Sequence, residues 1–217
     1  MVKAAFSGQD LLRIQEVVES AERGTRGEIV PMVVAASARY RETGHLAGML
    51  ALFLALAAAL WLRADLDRLQ WGGINPGWLM LALAVAYITG VMIGRFPVVI
   101  RMLTAEERMA MKVRLRAERA FYEKGLHRTR GATGILIFVS LLERRVVILA
   151  DRAINERVSG GTWDALAQEL ISGIRAGDRT SALCRAITVC GGILMQHFPV
   201  QGGDNPNELG DELIQDS

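Results

Sequence analysis

Cysteine and histidine are scarce in this chain: its 217 residues include two of the first and three of the second. That leaves too few ligands for a zinc cluster and too few thiols for a disulfide framework. A charge excess is missing as well. The 25 basic and 23 acidic residues give a net charge of +2, without the basic surplus that nucleic-acid binding draws on, so no nucleic-acid partner is expected. A cleavable signal is also not expected, because the first 43 residues hold no long apolar run and are interrupted by Lys3, Asp10, Arg13, Glu16 and Glu19. What the chain has in quantity is apolar surface. Apolar residues make up 51% of it, and its mean hydropathy is +0.25, too high for an ordinary soluble domain of this size, so part of the chain is expected in lipid.

Residues 46–62 run 17 positions without a charge and residues 76–94 run 19. At about 1.5 Å per helical residue these span roughly 26 to 29 Å, close to the ~30 Å hydrocarbon core of a bilayer. Between them stand Arg63, Asp65, Asp67 and Arg68, then Gly72, Gly73, Asn75 and Pro76, residues that carry charge or break helices. The pattern predicts a transmembrane hairpin over residues 44–103, with spans at about 45–62 and 76–94. Two core helices of a soluble protein would also be apolar, but core helices usually keep a polar face. Trp61, Trp71 and Trp78 fall where headgroups begin, marking one interface. Arg39 and Arg41 precede the hairpin, and Arg95, Arg101, Arg108, Lys112, Arg114 and Arg116 follow it. By the positive-inside rule both termini are cytoplasmic, in a multi-pass protein of a bacterial inner membrane. Gly44 with Gly48, and Gly90 with Gly94, carry the GxxxG spacing that lets membrane helices approach closely.

The flanking segments read as folded α/β protein. Ser7 and Asp10 mark a helix start, with Leu11, Ile14, Val17, Val18 and Ala21 at helical spacing before Gly24. Residues 28–36 read as a strand, in which Pro31 argues for an edge position or a bulge. Thr104 with Glu107 opens a basic helix to about Lys124, whose arginines suit either anionic headgroups or a solvated face. Residues 134–142 and 145–150 form a β-hairpin around Glu143-Arg144. Asp151 suits a helix N-cap, Gly160-Gly161 breaks the chain, and two helices follow, the second beginning near Asp178 and stopped by Pro199. Residues 201–217, with five acidic and no basic residues, read as a disordered tail.

In the order of these elements, Arg26-Gly27-Glu28-Ile29-Val30, Ala120-Phe121-Tyr122, Gly125-Leu126 and Ile174-Arg175-Ala176-Gly177-Asp178 resemble the TPM-domain family over residues 7–43 and 104–198. The resemblance implies an αβα sandwich around a small mixed sheet, here interrupted by the two-helix transmembrane hairpin. Residues 1–43 and 104–200 are then the two parts of one TPM-like domain. It also implies membrane attachment and, as proposed for some plant members, divalent-metal-binding, acid-phosphatase-like chemistry. The chain departs from the family at Arg130-Gly131-Ala132-Thr133-Gly134 and at Asp151-Arg152-Ala153-Ile154, where acidic and Asn-Gly positions or a tyrosine-bearing turn are common.

Two functions of different class follow. The first is a membrane-tethered interaction module of unassigned activity, with the lipid bilayer and a membrane protein as partners and no firm cofactor. The alternative is a divalent-metal-dependent, phosphatase-like hydrolase in which Asp151, Glu156 and Asp164 hold Ca2+ or Mg2+ and the cation activates water. Plainer roles are open to each: a helix cap for Asp151, dipole compensation for Asp164, solvation for Glu156. Cys184 and Cys190 lie about 120° apart on a helix and read as buried thiols. His45, His127 and His197 have no base or nucleophile nearby in sequence to make a triad. Glu28 is either a site carboxylate or an arginine's partner, and Arg144-Arg145 is either an anion site or a polar turn.

Overall fold

The computed structural model of the chain describes residues 6–68, 76–129, 131–200 and 209–216. They divide into two compact units, one built from residues 1–38 and 110–217 and the other from residues 39–109.

The first unit is α/β. Helix α1 (Gly8–Glu22) opens with the expected capping box, Ser7 accepting from the Asp10 N–H while the Asp10 carboxylate accepts from the Ser7 N–H. Strands β1 (Glu28–Val34), β2 (Gly134–Ser140), β3 (Arg145–Ala150) and β4 (Ile214–Asp216) form one mixed sheet in the order β3-β2-β1-β4. β1 runs parallel to β2 and β4, and β2 runs antiparallel to β3. Parallel neighbours need a crossover. Between β1 and β2 the crossover contains the apolar hairpin and helix α5 (Glu106–Glu123).

Alternation along the strands divides the core between the two faces of the sheet. Ile29, Val33, Ile135, Ile137 and Ile148 pack with residues of α1, α7 (Thr162–Arg175) and α8 (Arg179–His197). Val30, Met32, Val34, Leu136 and Phe138 pack with Val113, Ala117, Ala120 and Phe121 of α5. Helices cover both faces, which is the three-layer α/β/α arrangement.

Pro31 lies in an internal strand, yet its missing donor costs nothing. Alternate N–H groups of β1 point to opposite sides: that of Glu28 reaches Thr133 O and that of Ala35 reaches Asp216 O. Pro31 belongs to the second set, one residue before pairing with β4 begins at Met32 opposite Ile214. β1 is therefore locally an edge at the proline. The expected tail departs from the reading of disorder: residues 201–208 lie outside the described residues, but Ile214–Asp216 is a strand. Leu213 is buried and Asp216 pairs with Arg116 at 2.6 Å, so an apolar anchor and an ion pair hold a segment whose composition is acidic.

The second unit contains the apolar helices α2 (Arg41–Arg68) and α3 (Pro76–Ile93), then α4 (Pro97–Leu103). α4 falls within what the sequence predicts as hairpin. Pro97 occupies its first turn, where a missing N–H is harmless. Residues 41–62 and 76–93 are long and apolar enough to cross a membrane, and only 11% and 6% of their respective spans are buried. That exposure separates them from the core helices of a soluble protein. Both GxxxG pairs sit at the crossing: a methyl group on Gly90 would meet Ala47 O at 2.7 Å and Gly48 Cα at 2.8 Å. Thr43 Oγ1 donates to Tyr40 O at 2.7 Å and lies 3.2 Å from Gly94 O, and His45 Nδ1 is 3.0 Å from the Tyr87 hydroxyl.

Candidate functional site

The three carboxylates nominated for a cation serve local structure. Asp151 is the N-cap of α6 (Arg152–Asn155), accepting from the Arg152 N–H at 2.7 Å. Glu156 accepts from Arg152 Nε at 2.7 Å in an exposed i,i+4 pair. Asp164 lies in the first turn of α7, where its charge complements the helix dipole. Among the described residues no group of three or more His, Cys, Asp and Glu side chains converges as metal ligands.

Cys184 and Cys190 are free and buried. Burial raises the Cys184 thiol and pushes that of Cys190 up to about 12, which makes both poor nucleophiles. Trp163 is partly buried against the core, and its Nε1 donates to Asn155 Oδ1 at 2.9 Å. His127 packs against the Tyr122 ring, 5.0 Å between centroids, and the His197 carbonyl accepts from Arg157 Nη1 at 2.7 Å.

Glu28 is buried at the start of β1, near a second buried carboxyl that sequence reasoning missed, Glu22 at the end of α1. Ile29 N–H points to the side of β1 where β4 has not yet begun, and it donates to Glu22 Oε1 at 2.6 Å. Burial above all pushes the Glu22 carboxyl up to about 9; the Ile29 N–H opposes this, while the charges of Glu28 and Asp211 and a hydrogen bond with Asp211 reinforce it. A protonated Glu22 can accept from Ile29 and donate to Asp211. The signal in the sequence was faint: an acidic residue at the last position of an amphipathic helix, where solvent exposure is the ordinary expectation.

The residues expected at a membrane interface are distributed as follows. Trp61 and Trp78 are exposed, at 72% and 71%, and Trp71 lies outside the described residues. Gly44 faces Gly94 and Gly48 faces Gly90, so α2 and α3 run antiparallel. Extending that register along both helices puts Trp61 at the level of the start of α3, the end that carries Trp78. Arg39 and Arg41 flank the start of α2, Arg95 follows α3, and Arg101 lies in the last turn of α4.

A concave site lies at the β2–β3 turn of the α/β unit. A cavity of about 460 Å3 is lined there by Arg144 of the turn, Arg145 at the start of β3, and Arg175 and Arg179 of the α7–α8 corner, with Val139, Leu141, Val146, Ile171 and Ile174 as its apolar wall. The doublet Arg144-Arg145 was visible in sequence. Its convergence with Arg175 and Arg179, about 30 positions on, depends on the packing of α7 against β3.

The chain matches no family model and no curated protein. It is similar in structure to the BA42 protein from the psychrophilic bacteria Bizionia argentinensis sp. nov., solved by NMR, with a TM-score of 0.57 and 17% sequence identity over 97% of this chain and 94% of that one. At that identity the likeness is one of fold, and the chain shares the α/β fold of that neighbour.

Proposed function

We propose that this chain is an integral membrane protein of the bacterial inner membrane that presents a TPM-like domain to the cytoplasm, and that its role is binding rather than catalysis. The observation that carries this reading is the pair of apolar helices α2 and α3, packed on each other through glycines and otherwise exposed. Side chains such as Phe53, Leu54, Met80 and Ile88 face outward, and water would penalise each at roughly 1.5–3 kcal/mol relative to burial. Lipid removes that penalty. The exposed Trp61 and Trp78 at one end suit a headgroup layer. Arginines before α2 and after α3 support a hairpin whose turn lies outside the cytoplasm, with both termini inside. The bilayer is the first partner, and a second membrane protein is the kind of partner the tether would bring within reach.

Labelling of spheroplasts with a membrane-impermeant maleimide tests the orientation. A cysteine introduced at Gln70 should react from outside and one at Glu212 should not. Protection at Gln70 together with reaction at Glu212 would overturn the proposed topology.

A further inference from the structure

Arginines converge on the cavity at the β2–β3 turn of the α/β unit. On α5, three arginines carry their own counter-charges: Arg114 pairs with Glu118 at 2.9 Å, Arg119 with Glu123 at 2.7 Å, and Arg116 with Glu123 and Asp216 at 3.1 and 2.6 Å. Around the cavity, four arginines meet and, among the described residues, no acidic side chain contributes to the lining. Arg144, Arg175 and Arg179 have no ion-pair partner among the described residues. Glu143 is buried, accepting from the Ser37 N–H at 3.0 Å and from the Ser140 hydroxyl. Asp178 accepts from the Ser181 N–H at 3.3 Å and faces Arg185 at 3.6 Å.

Like charges gathered on one rim repel, and an anion among them relieves the repulsion. Guanidinium groups suit oxyanions in particular, because each can offer two parallel N–H donors to one phosphate or carboxylate. Charge is only half of the description, since Val146, Ile171 and Ile174 give the same cavity an apolar wall. Its volume of about 460 Å3 lies in the range of small-ligand sites, roughly 300–1,000 Å3. The backbone adds a further observation. Arg144 adopts a left-handed conformation, φ +52°, where glycine would be unstrained, so the turn holds an arginine at some cost in stability.

From this convergence we infer that the cavity is a binding site for an amphiphilic dianion: a doubly charged oxyanion head held by Arg144, Arg175 and Arg179, joined to an apolar body that lies against Val146, Ile171 and Ile174. The inference concerns the α/β unit alone and stands or falls separately from the membrane placement. The head can come from a soluble ester or from a lipid, and the two sources are distinguishable.

Full-length protein in a nonionic detergent, at low salt and pH 8, is titrated by calorimetry with naphthol, naphthalenesulfonate and naphthyl phosphate, which share one apolar body and carry zero, one and two negative charges. Affinity should rise in that order. Arg175→Gln combined with Arg179→Gln should weaken naphthyl phosphate by about tenfold or more, the loss of about one charge-assisted contact, while Arg114→Gln on α5 leaves it unchanged. Arg144→Gly keeps folding and binding distinguishable, because it should raise the melting temperature by relieving the left-handed backbone and still weaken the phosphate. A parallel titration compares dioctanoyl phosphatidate with dioctanoyl phosphatidylcholine. Binding of phosphatidate alone, weakened by the same arginine variants, supports the site and assigns its head to a lipid. Equal affinity for naphthol and naphthyl phosphate with no preference for phosphatidate, or affinities unmoved by the variants, would overturn the inference.

Discussion

A methyl group placed on Gly94 would lie 2.7 Å from the Gly44 Cα, so the two apolar helices cross with backbone against backbone. Gly48 and Gly90 repeat the contact one helical turn further along. In lipid, where apolar side chains gain nothing by leaving their surroundings, such close approach is what holds helices together.

Enlarging Gly90 of α3 or Gly94 just beyond its end should therefore separate the helices. The atoms in the way are largely backbone, Ala47 O and Gly48 Cα opposite Gly90, and Thr43 O and Gly44 Cα opposite Gly94, and these cannot rotate aside. Gly90→Leu and Gly94→Leu are each expected to cost about 1–3 kcal/mol of hairpin stability. The check is disulfide cross-linking between cysteines introduced at Ala47 and Val91, which should fall in both variants. Cross-linking as efficient as in the parent chain would rule out this crossing.

Glu22 makes stability depend on pH in a stated direction. Its carboxyl is pushed up to about 9 from an ordinary value of 4.5. Below pH 4.5 both folded and unfolded chains hold the proton. Between 4.5 and 9 the unfolded chain releases it while the folded chain keeps it, so this site's contribution is full at low pH and is lost as pH rises through that window. Glu22→Gln retains an acceptor for Ile29 N–H and a donor for Asp211. It should flatten the decline of melting temperature between pH 5 and pH 8, and at pH 8 exceed the parent chain. Parallel curves for parent and variant would contradict the assignment.

The last strand should be the least secure part of the sheet. β4 has three residues, and Arg116 holds it through Asp216 at 2.6 Å in a partly exposed pair, worth up to about 1 kcal/mol. Arg116→Ala should speed hydrogen exchange at the Ala35 amide, which donates to Asp216 O, by up to about fivefold. Exchange at the Ile29 amide, bonded to Glu22 instead, should change less. An unchanged Ala35 rate would show that the pair does not fasten the strand.

Asp151 discriminates the binding reading from the hydrolase. As the cap of α6, its replacement by alanine should cost about 0.5–2 kcal/mol, to the same extent with and without millimolar Ca2+ or Mg2+. A melting temperature that rises with metal in the parent chain and not in Asp151→Ala would restore the metal-dependent alternative.

Much of this architecture could be read directly, because capping, periodicity and charge are local. Ser7 with Asp10, the alternating strand residues and the long uncharged runs each carry their signal within a few positions. What stayed hidden depends on distant partners. Pro31 argues for an edge, and no sequence pattern shows that an internal strand becomes an edge for one residue where a late strand has yet to start. Residues 214–216 look like part of an acidic tail until Arg116 and the open side of β1 come into view. α4 falls within the predicted hairpin because its apolar residues follow the second run closely, with Arg95 between them. At the candidate site the doublet Arg144-Arg145 was visible as a turn, but its meeting with Arg175 and Arg179 follows from tertiary packing, and the buried Glu22 gave no pattern to recognise.

The membrane placement is tested most directly by washing membranes from expressing cells with alkaline carbonate and following the full-length chain. An inserted hairpin predicts that the protein stays in the pellet after the wash and enters solution only with detergent. Full release into the carbonate supernatant, as a monodisperse particle without detergent, would contradict insertion of α2 and α3.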